Sequence, residues 1–284
     1  MNKLNKKEKK KGFFATLTER IKRDKKAFAV FLVLRFLVLL VLVRSIFLSQ
    51  WESVFTCTLT LVLLFVPSML EKGLKIEVPT TLEIITYIFV FSAEILGEIE
   101  CYYMKYPHWD TMLHTVNGFM FAAFGFALVD IFNRHGRFTF KLSAVFCALV
   151  AFCFSMTVGV MWEFFEFASD ELMHLDMQKD SIVYSVNTVK LDPESANNVI
   201  RIKDIISTDI HTETGTVTVD GYIDVGLRDT MKDLFVNFVG AVVFSYIGYV
   251  YVKHRGRGRF APSFIPTLSE ESEGEQTTDE DNMS

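Results

Sequence analysis

Six apolar stretches of about twenty residues each set the terms on which this chain can fold. They lie at roughly 27–48, 52–70, 81–100, 111–132, 142–168 and 231–252. A helix needs about 20 mostly apolar residues to cross the hydrocarbon core of a bilayer. Each stretch must be helical, because a lone strand would leave its backbone groups unpaired in lipid. Half of the residues are hydrophobic, a balance that soluble domains of this length seldom reach. The sequence therefore predicts an all-α polytopic membrane protein with six transmembrane helices in a bundle, and a lipid bilayer as its surroundings.

The net charge of -5 hides a segregation. Residues 1–26 are strongly basic, and the chain beyond Leu268 is acidic without large apolar runs, which reads as a solvated, disordered tail. Lys72 and Lys75 follow span two, Arg134, Arg137 and Lys141 follow span four, and Lys253, Arg255, Arg257 and Arg259 follow span six. The alternate loops are poor in basic residues: Ser49–Gln50 has none and Glu100–Asp110 has only Lys105. Lys and Arg collect on the cytoplasmic side, so both termini are expected inside. The division is then 1–26 as a basic cytoplasmic segment, 27–169 as spans one to five, 170–228 as an outer insertion, 229–252 as span six and 253–284 as a disordered cytoplasmic tail, basic and then acidic. No small-residue cleavage pattern follows the first apolar run, so a cleaved signal peptide is not expected. Phe13, Phe14, Leu17 and Ile21 stand at helical spacing among lysines. They fit either a surface-lying amphipathic helix or a plain positive-inside anchor; nucleic-acid binding is not expected.

The outer insertion has a grammar of its own. Ile182-Val-Tyr-Ser-Val, Val199-Ile-Arg-Ile and Thr216-Val-Thr-Val-Asp-Gly-Tyr-Ile are β-rich, and Asp192-Pro193, Asn197-Asn198 and Thr214-Gly215 break them. They predict a small β-rich unit between spans five and six, as a hairpin or a three-stranded sheet. A structured loop of this length serves as a lid, as a binding element, or as a passive elaboration.

The chemistry is concentrated at one end of four spans. Span three ends with Glu94 and Glu98. Span four begins with Asp110 and His114. Span five ends with Glu163, Glu166 and Asp170. Span six begins with Arg228, Asp229, Asp233 and Asn237. Spacings of three and four put each set on one helix face, and the orientation above puts all four stripes at the outer leaflet. A charged side chain facing lipid costs about 2.5–3.5 kcal/mol at mid-membrane, so the stripes must converge on the bundle interior or on an aqueous pocket. Converged carboxylates repel one another. They can be protonated, neutralised by a bound cation, or paired with Arg228 and Lys232 folding back. Oxygen donors with one imidazole suit a divalent metal ion such as Mg²⁺, Mn²⁺, Ca²⁺ or Zn²⁺. The candidate ligands are His114, Glu163, Glu166, Asp229 and Asp233, with His114 alternatively a general base and Arg228 a phosphate contact. The same cluster also fits a structural hydrogen-bond network, or a proton- or ion-coupled transport site.

Other features read more plainly. Asp110-Thr-Met-Leu-His and Asp229-Thr-Met-Lys-Asp echo each other at the starts of two spans, as a pseudo-twofold pair of helical hairpins would. Gly118, Gly125, Gly159, Gly240 and Gly248 allow close helix approach. Trp51, Trp109, Tyr102, Tyr103 and Tyr106 fit an interfacial aromatic belt. Cys57, Cys101, Cys147 and Cys153 show neither disulfide nor zinc spacing and read as small hydrophobes. His108, His135, His174, His211 and His254 read as surface residues, with His108 close enough in sequence to join the outer cluster.

Trp109-Asp-Thr-Met-Leu-His, Trp162-Glu-Phe-Phe-Glu and Asp229-Thr-Met-Lys-Asp-Leu-Phe-Val-Asn-Phe-Val-Gly-Ala resemble the YjdF-like bacterial inner-membrane proteins. More distantly, the order Asp-x₃-His, then Glu, then Arg-Asp-x₃-Asp-x₃-Asn-x₂-Gly is similar to the VanZ-like family, which is linked to glycopeptide resistance. The resemblance covers spans three to six; the β-rich insertion departs from the short VanZ-like loop. It implies a bacterial, Gram-positive, cytoplasmic membrane protein and carries no reaction with it. Three functions then stand side by side. One is an outward-facing metal-dependent enzyme acting on a lipid-linked or envelope substrate. Another is an ion- or proton-coupled transporter. The third is a non-enzymatic envelope protein whose insertion binds a partner or a lipid headgroup. No nucleophile motif or phosphate loop selects the first.

Overall fold

The computed structural model describes residues 25–74, 76–135, 142–254 and 261–268. The basic segment with Phe13, Phe14, Leu17 and Ile21, the loop residues Lys75, Arg137 and Lys141, and the acidic tail after Leu268 lie outside them.

The chain is mostly helical. Helix α1 (Lys25–Phe47) is followed by α2 (Trp51–Leu63) and α3 (Val66–Leu74). Pro67 has no N–H to continue the ladder from α2, and the chain kinks at Leu64–Phe65 before α3 resumes. Strand β1 (Ile76–Glu77) leads into α4 (Thr80–Phe91), which widens without interruption into a π-helical segment, Ser92–Ile99. Its bonds reach five residues back, as from the Glu100 N–H to the Ile95 carbonyl at 3.0 Å. After the short α5 (Tyr102–Lys105) come two long helices, α6 (Trp109–His135) and α7 (Ala144–Met173), then the insertion, then α8 (Leu227–Lys253). Among the described residues, five helices are long and apolar enough to cross a membrane: α1, Trp51–Glu71, the Trp109–Val129 part of α6, α7 and α8. The sixth apolar stretch is the continuous α4 and π-helical segment.

Two apolar cores hold these helices. One gathers Phe31, Val38, Cys57, Leu64, Tyr87, Val90 and Ile95 from α1, α2 and α4. The guanidinium of Arg35, one of two arginines in span one, lies 4.4 Å from the centroid of the Phe65 ring, a cation–π contact. The other core binds α6, α7 and α8 through small side chains, including Ala122, Ala123, Ala151 and Ala241, with Phe126 and Phe244 filling the gaps. All four cysteines are free; Cys57 and Cys147 are buried, whereas Cys101 and Cys153 are exposed.

The insertion is three two-stranded antiparallel ladders, one enclosing two successive hairpins, and not a three-stranded sheet. The outer ladder pairs β2 (Ile182–Val183) with β7 (Tyr222–Ile223). Inside it stand β3 (Val186–Thr188) with β4 (Ile200–Ile202), and β5 (Ser207–Thr212) with β6 (Gly215–Asp220). Between β3 and β4 the buried Asp192 organises the loop, its carboxylate accepting from the N–H groups of Ala196, Asn198 and Glu194 at 2.8, 2.9 and 3.2 Å. Those backbone donors, Asn198 first, hold the Asp192 carboxyl below its ordinary range. A depressed folded-state value means that the loop is stabilised above the ordinary carboxylate range and loosens as pH falls through the lowered one. Asp192→Ala is therefore expected to speed proteolysis between residues 188 and 200 at neutral pH. Wild-type protein should approach the variant's rate only in acid; equal rates at neutral pH would contradict this account.

The tail also differs from expectation, which placed an unstructured run from residue 253. Ala261–Ser263 forms a helical turn, Ile265 is buried and Phe264 packs edge-on to Phe119 at 5.3 Å. Strand β8 (Thr267–Leu268) then pairs with β1, Ile76 opposite Leu268. Phe264 and Ile265 are apolar enough to dock where a purely polar tail would remain solvated.

Candidate functional site

The site is built in layers where the first two turns of α6, the last turns of α7 and the first turns of α8 converge. The deepest layer is a pair of amides: Asn117 donates to Asn237 at 3.0 Å, and Asn237 reaches the Met156 sulfur at 3.6 Å. Asn237 is fully buried, and Gly159 makes room for it, since a Cβ there would lie 2.7 Å from the Asn237 amide nitrogen. One turn higher is His114. Its Nε2 lies 3.3 Å from Asp110 and 3.8 Å from Asp233, and its Nδ1 lies 4.0 Å from Glu163. Above that, the ammonium of Lys232 reaches Asp110 at 2.7 Å, Asp229 at 3.1 Å and Asp233 at 3.5 Å. The loop after α7 forms the roof. The N–H of Lys179 donates to Asp229 at 3.0 Å, and the Gln178 amide donates to Thr230 at 2.7 Å.

The helical spacing that predicts stripes also explains these layers. Asp110, His114 and Asn117 follow at i, i+4 and i+7 on one face of α6, and Asp229, Asp233 and Asn237 follow at i, i+4 and i+8 on one face of α8. The structure brings Asp110, His114, Glu163, Asp229, Asp233 and Asn237 together. It does not bring all the candidates. Asp170 accepts from the N–H groups of Met177 and Gln178 at 2.6 and 2.9 Å and fastens the roof loop. Glu166 is held by the Trp162 indole N–H at 2.7 Å. Glu98 faces Lys179 at 3.5 Å, and Glu94 is buried in the wall of a neighbouring cavity. Arg228 turns outward, two-thirds exposed, toward Asp224 at 3.9 Å, so the phosphate contact expected of it is not part of this cluster. His108, with a left-handed backbone before α6, is exposed and stays outside.

Several participants are missing from the sequence-based set. Asn117 continues the Asp110–His114 stripe and was there to be found by spacing. Lys232, which the sequence offered only as a counter-charge folding back on the acids, does so from three residues beyond Asp229 and also bridges to Asp110 on α6. Gln178, Lys179 and Thr230 come from, or answer to, an irregular loop that has no periodicity to read.

As a cation site the centre is well furnished. One donor atom from each of Asp110, His114 and Asp233 lies within 4.8 Å of the others. Bonds of about 2.0–2.2 Å to an ion would draw such atoms to within about 4.4 Å of one another, a contraction of a few tenths of an ångström. Glu163 Oε2 is buried without a hydrogen-bond partner, and Asp233 Oδ1, also without a hydrogen bond, has the Lys232 ammonium at 3.5 Å; such under-satisfied buried oxygens ask for an explanation. Four carboxylates, Asp110, Glu163, Asp229 and Asp233, share one ammonium and one imidazole, so the cluster still lacks positive charge.

Residues 30–254 match the family described as "Predicted membrane protein (DUF2238)". The chain belongs to this family. The match contains the whole bundle, the site and the insertion. A DUF2238 chain of this length is also 28% identical over 109 residues to a Thermotoga maritima protein named only "Uncharacterized protein". The alignment takes in 38% of the chain and 54% of that relative, so the chain spans about half the length of the curated relative that it matches. No solved structure matches it.

Proposed function

We propose that this DUF2238 protein is a bacterial cytoplasmic-membrane protein that binds a divalent metal ion at the outward end of its α6–α7–α8 bundle and acts on a component of the cell envelope. The carrying observation is the Asp110–His114–Asp233 triplet, with Glu163 adjacent and its buried Oε2 without a hydrogen-bond partner. Asp110, His114 and Asp233 would be the ligands. Glu163 would complete the set or take up a proton from a water or hydroxyl beside it. A bound ion would supply Lewis-acid chemistry, polarising an oxygen or acidifying a water. The chain's own residues hold and orient: Asp110 fixes the imidazole from one side, and the Asn117–Asn237 pair closes the floor.

Three observations support the placement. Lys25 and Lys26 start α1 and Lys253 ends α8, at the end of the bundle away from the site, which suits a cytoplasmic inner face under the positive-inside tendency. The resemblance to YjdF-like inner-membrane proteins points the same way, as does a relative in a bacterium. A one-sided site also argues against passage. Below Asn117 and Asn237 the described residues are mainly apolar: Met120, Ala123, Phe126 and Phe244 are buried there, with Ser245 the polar exception on α8.

The test is metal analysis of detergent-purified protein reconstituted with Mg²⁺, Mn²⁺ or Zn²⁺ and dialysed. Wild type is expected to retain a single divalent ion per chain, and Asp233→Asn and Glu163→Gln to lose it while remaining monodisperse. A wild type that retains none of the three would overturn the proposal.

A further inference from the structure

A seam runs between the two halves of the bundle. Helices α2, α3 and α4 with its π-helical continuation stand on one side, and α6 and α7 on the other. Within it lies a cavity of about 290 Å³, near the lower end, about 300 Å³, of the range in which small-molecule sites occur. Its deep part is hydrocarbon: Leu63, Val66, Phe89, Met120 and Phe121. Its other end carries Glu94, Tyr103 and His114. Thr86, whose hydroxyl donates to the Leu82 carbonyl at 2.8 Å, and Glu94 stand eight residues apart on one wall, and His114 and Phe121 stand seven apart on another, with Asn117, which donates to Asn237, between them. The lining thus changes from polar to apolar over roughly 10–12 Å along the helices. Met161, another wall residue, is 59% exposed on the outer face of α7, so the cavity reaches the lipid-facing surface of the bundle.

A second cavity, of about 330 Å³, adjoins the polar end and is lined by Glu52, Glu94, Glu98, Asp176 and Lys179 among others. Glu94 is common to both. It is 3% exposed, and among the described residues no hydrogen-bond donor or cation answers its carboxylate; Glu98, the neighbouring charge, has the same sign and is already engaged by Lys179. A buried carboxylate without a counter-charge is costly. An anionic headgroup would meet four acids and one lysine here. An ammonium would supply the charge that is missing, and a hydrocarbon chain would fill the apolar part.

We propose that this seam binds an amphiphile with a hydrocarbon chain and a protonated amine headgroup, the chain between α4 and α7 and the ammonium on Glu94. The site is distinct from the metal centre and goes beyond that reading; His114 and Asn117 border both. The bilayer supplies the approach, because the chain can slide in past Met161 without leaving an apolar medium.

The experiment titrates dodecylamine, dodecanol and dodecanoate into the full-length protein in a non-ionic detergent at neutral pH, read by thermal shift and tryptophan fluorescence. Wild type is expected to bind the amine at least about ten-fold more tightly than the alcohol, a ratio that one charge-assisted contact supports, and the carboxylate least. Glu94→Gln should bring amine and alcohol together while both still bind. Ala93→Phe, which fills the cavity, should abolish binding of both. Met161→Trp, which blocks the opening from the exposed side, should do the same and covers the case in which Ala93→Phe fails to fold. Metal content of the same samples should stay at the wild-type level, so failure here and failure of the metal reading are separable. Equal binding of amine and alcohol by wild type, unchanged selectivity in Glu94→Gln, or wild-type binding by the filled and blocked variants would overturn the proposal.

Discussion

Gly118→Val is expected to abolish a monodisperse folded protein, and Gly240→Val to do the same. At Gly118 a Cβ would sit 2.0 Å from the Asn237 carbonyl oxygen; at Gly240 it would sit 2.0 Å from the Thr115 carbonyl oxygen. The two glycines thus face opposite backbones across one crossing, and α6 and α8 approach each other there as closely as their main chains permit. Small residues at such crossings are what lets membrane helices pack, since lipid gives helices no hydrophobic reason to associate. The obstacle is backbone on both sides, so no side-chain rotation relieves it. Overpacking of ordinary cores costs about 1–3 kcal/mol, and a clash with main chain should exceed the upper figure. Even Gly118→Ala should lower the melting temperature by roughly 5–10 °C, taking about 2–4 °C per kcal/mol for a domain of this size. Gly73→Ala is the control: nothing lies within 4 Å of a Cβ there, and within α3 the change should be neutral or slightly stabilising. If Gly118→Val melts like Gly73→Ala, the close crossing does not exist in solution. The same crossing sets the height at which Asn117 meets Asn237 and His114 meets Asp233, so loss of the packing and loss of the site are expected together.

That coupling shows what could be read beforehand and what could not. Apolar length specified six helical stretches, and spacings of three and four specified the polar face of each. Both are periodic properties of one element, and a sequence displays them directly. Which faces meet depends on crossing height and rotation, and these are set by contacts between elements. Hence Glu166 and Asp170 share a helix with Glu163 and yet serve Trp162 and the roof loop. Asp229 carries both kinds of duty, accepting from Lys232 and from the backbone of Lys179. The π-helical widening at Ser92–Ile99 rotates Glu94 and Glu98 relative to an ideal helix, and no residue type announces it. In the insertion, alternation in Thr216-Val-Thr-Val marks β6, but its partner Ser-Thr-Asp-Ile-His-Thr has one aliphatic residue, Ile210, and little pattern to read. The docked Ala261–Leu268 segment is eight residues long, too short for a window that looks for spans or strands.

Lys232→Met is expected to leave a protein that melts lower in chelator and regains its stability when a divalent ion is added. The side chain keeps most of its aliphatic length, so the change removes chiefly the ammonium that bridges Asp110, Asp229 and Asp233. Breaking a buried ion pair costs about 3–5 kcal/mol. Lys232 is nearly half exposed, and solvent screening reduces that figure; Asp233, at 2% exposure, keeps it from vanishing. A cost of about 2 kcal/mol corresponds to roughly 4–8 °C in melting temperature. The direction of the metal response carries the argument. In wild type the ammonium contacts Asp110 Oδ2 and Asp233 Oδ1 while His114 faces Asp110 Oδ1 and Asp233 Oδ2, so an ion binds beside a standing positive charge and gains less than it would without it. Without the ammonium, the same carboxylates and His114 face each other with their charge uncompensated, and the ion binds an emptier, more negative site. Mn²⁺ should then stabilise Lys232→Met more than it stabilises wild type, by the linkage that relates ligand concentration to folded-state stability. A variant that melts lower and ignores every divalent ion would make Lys232 the permanent counter-ion of a structural network, and the metal reading would fall with it.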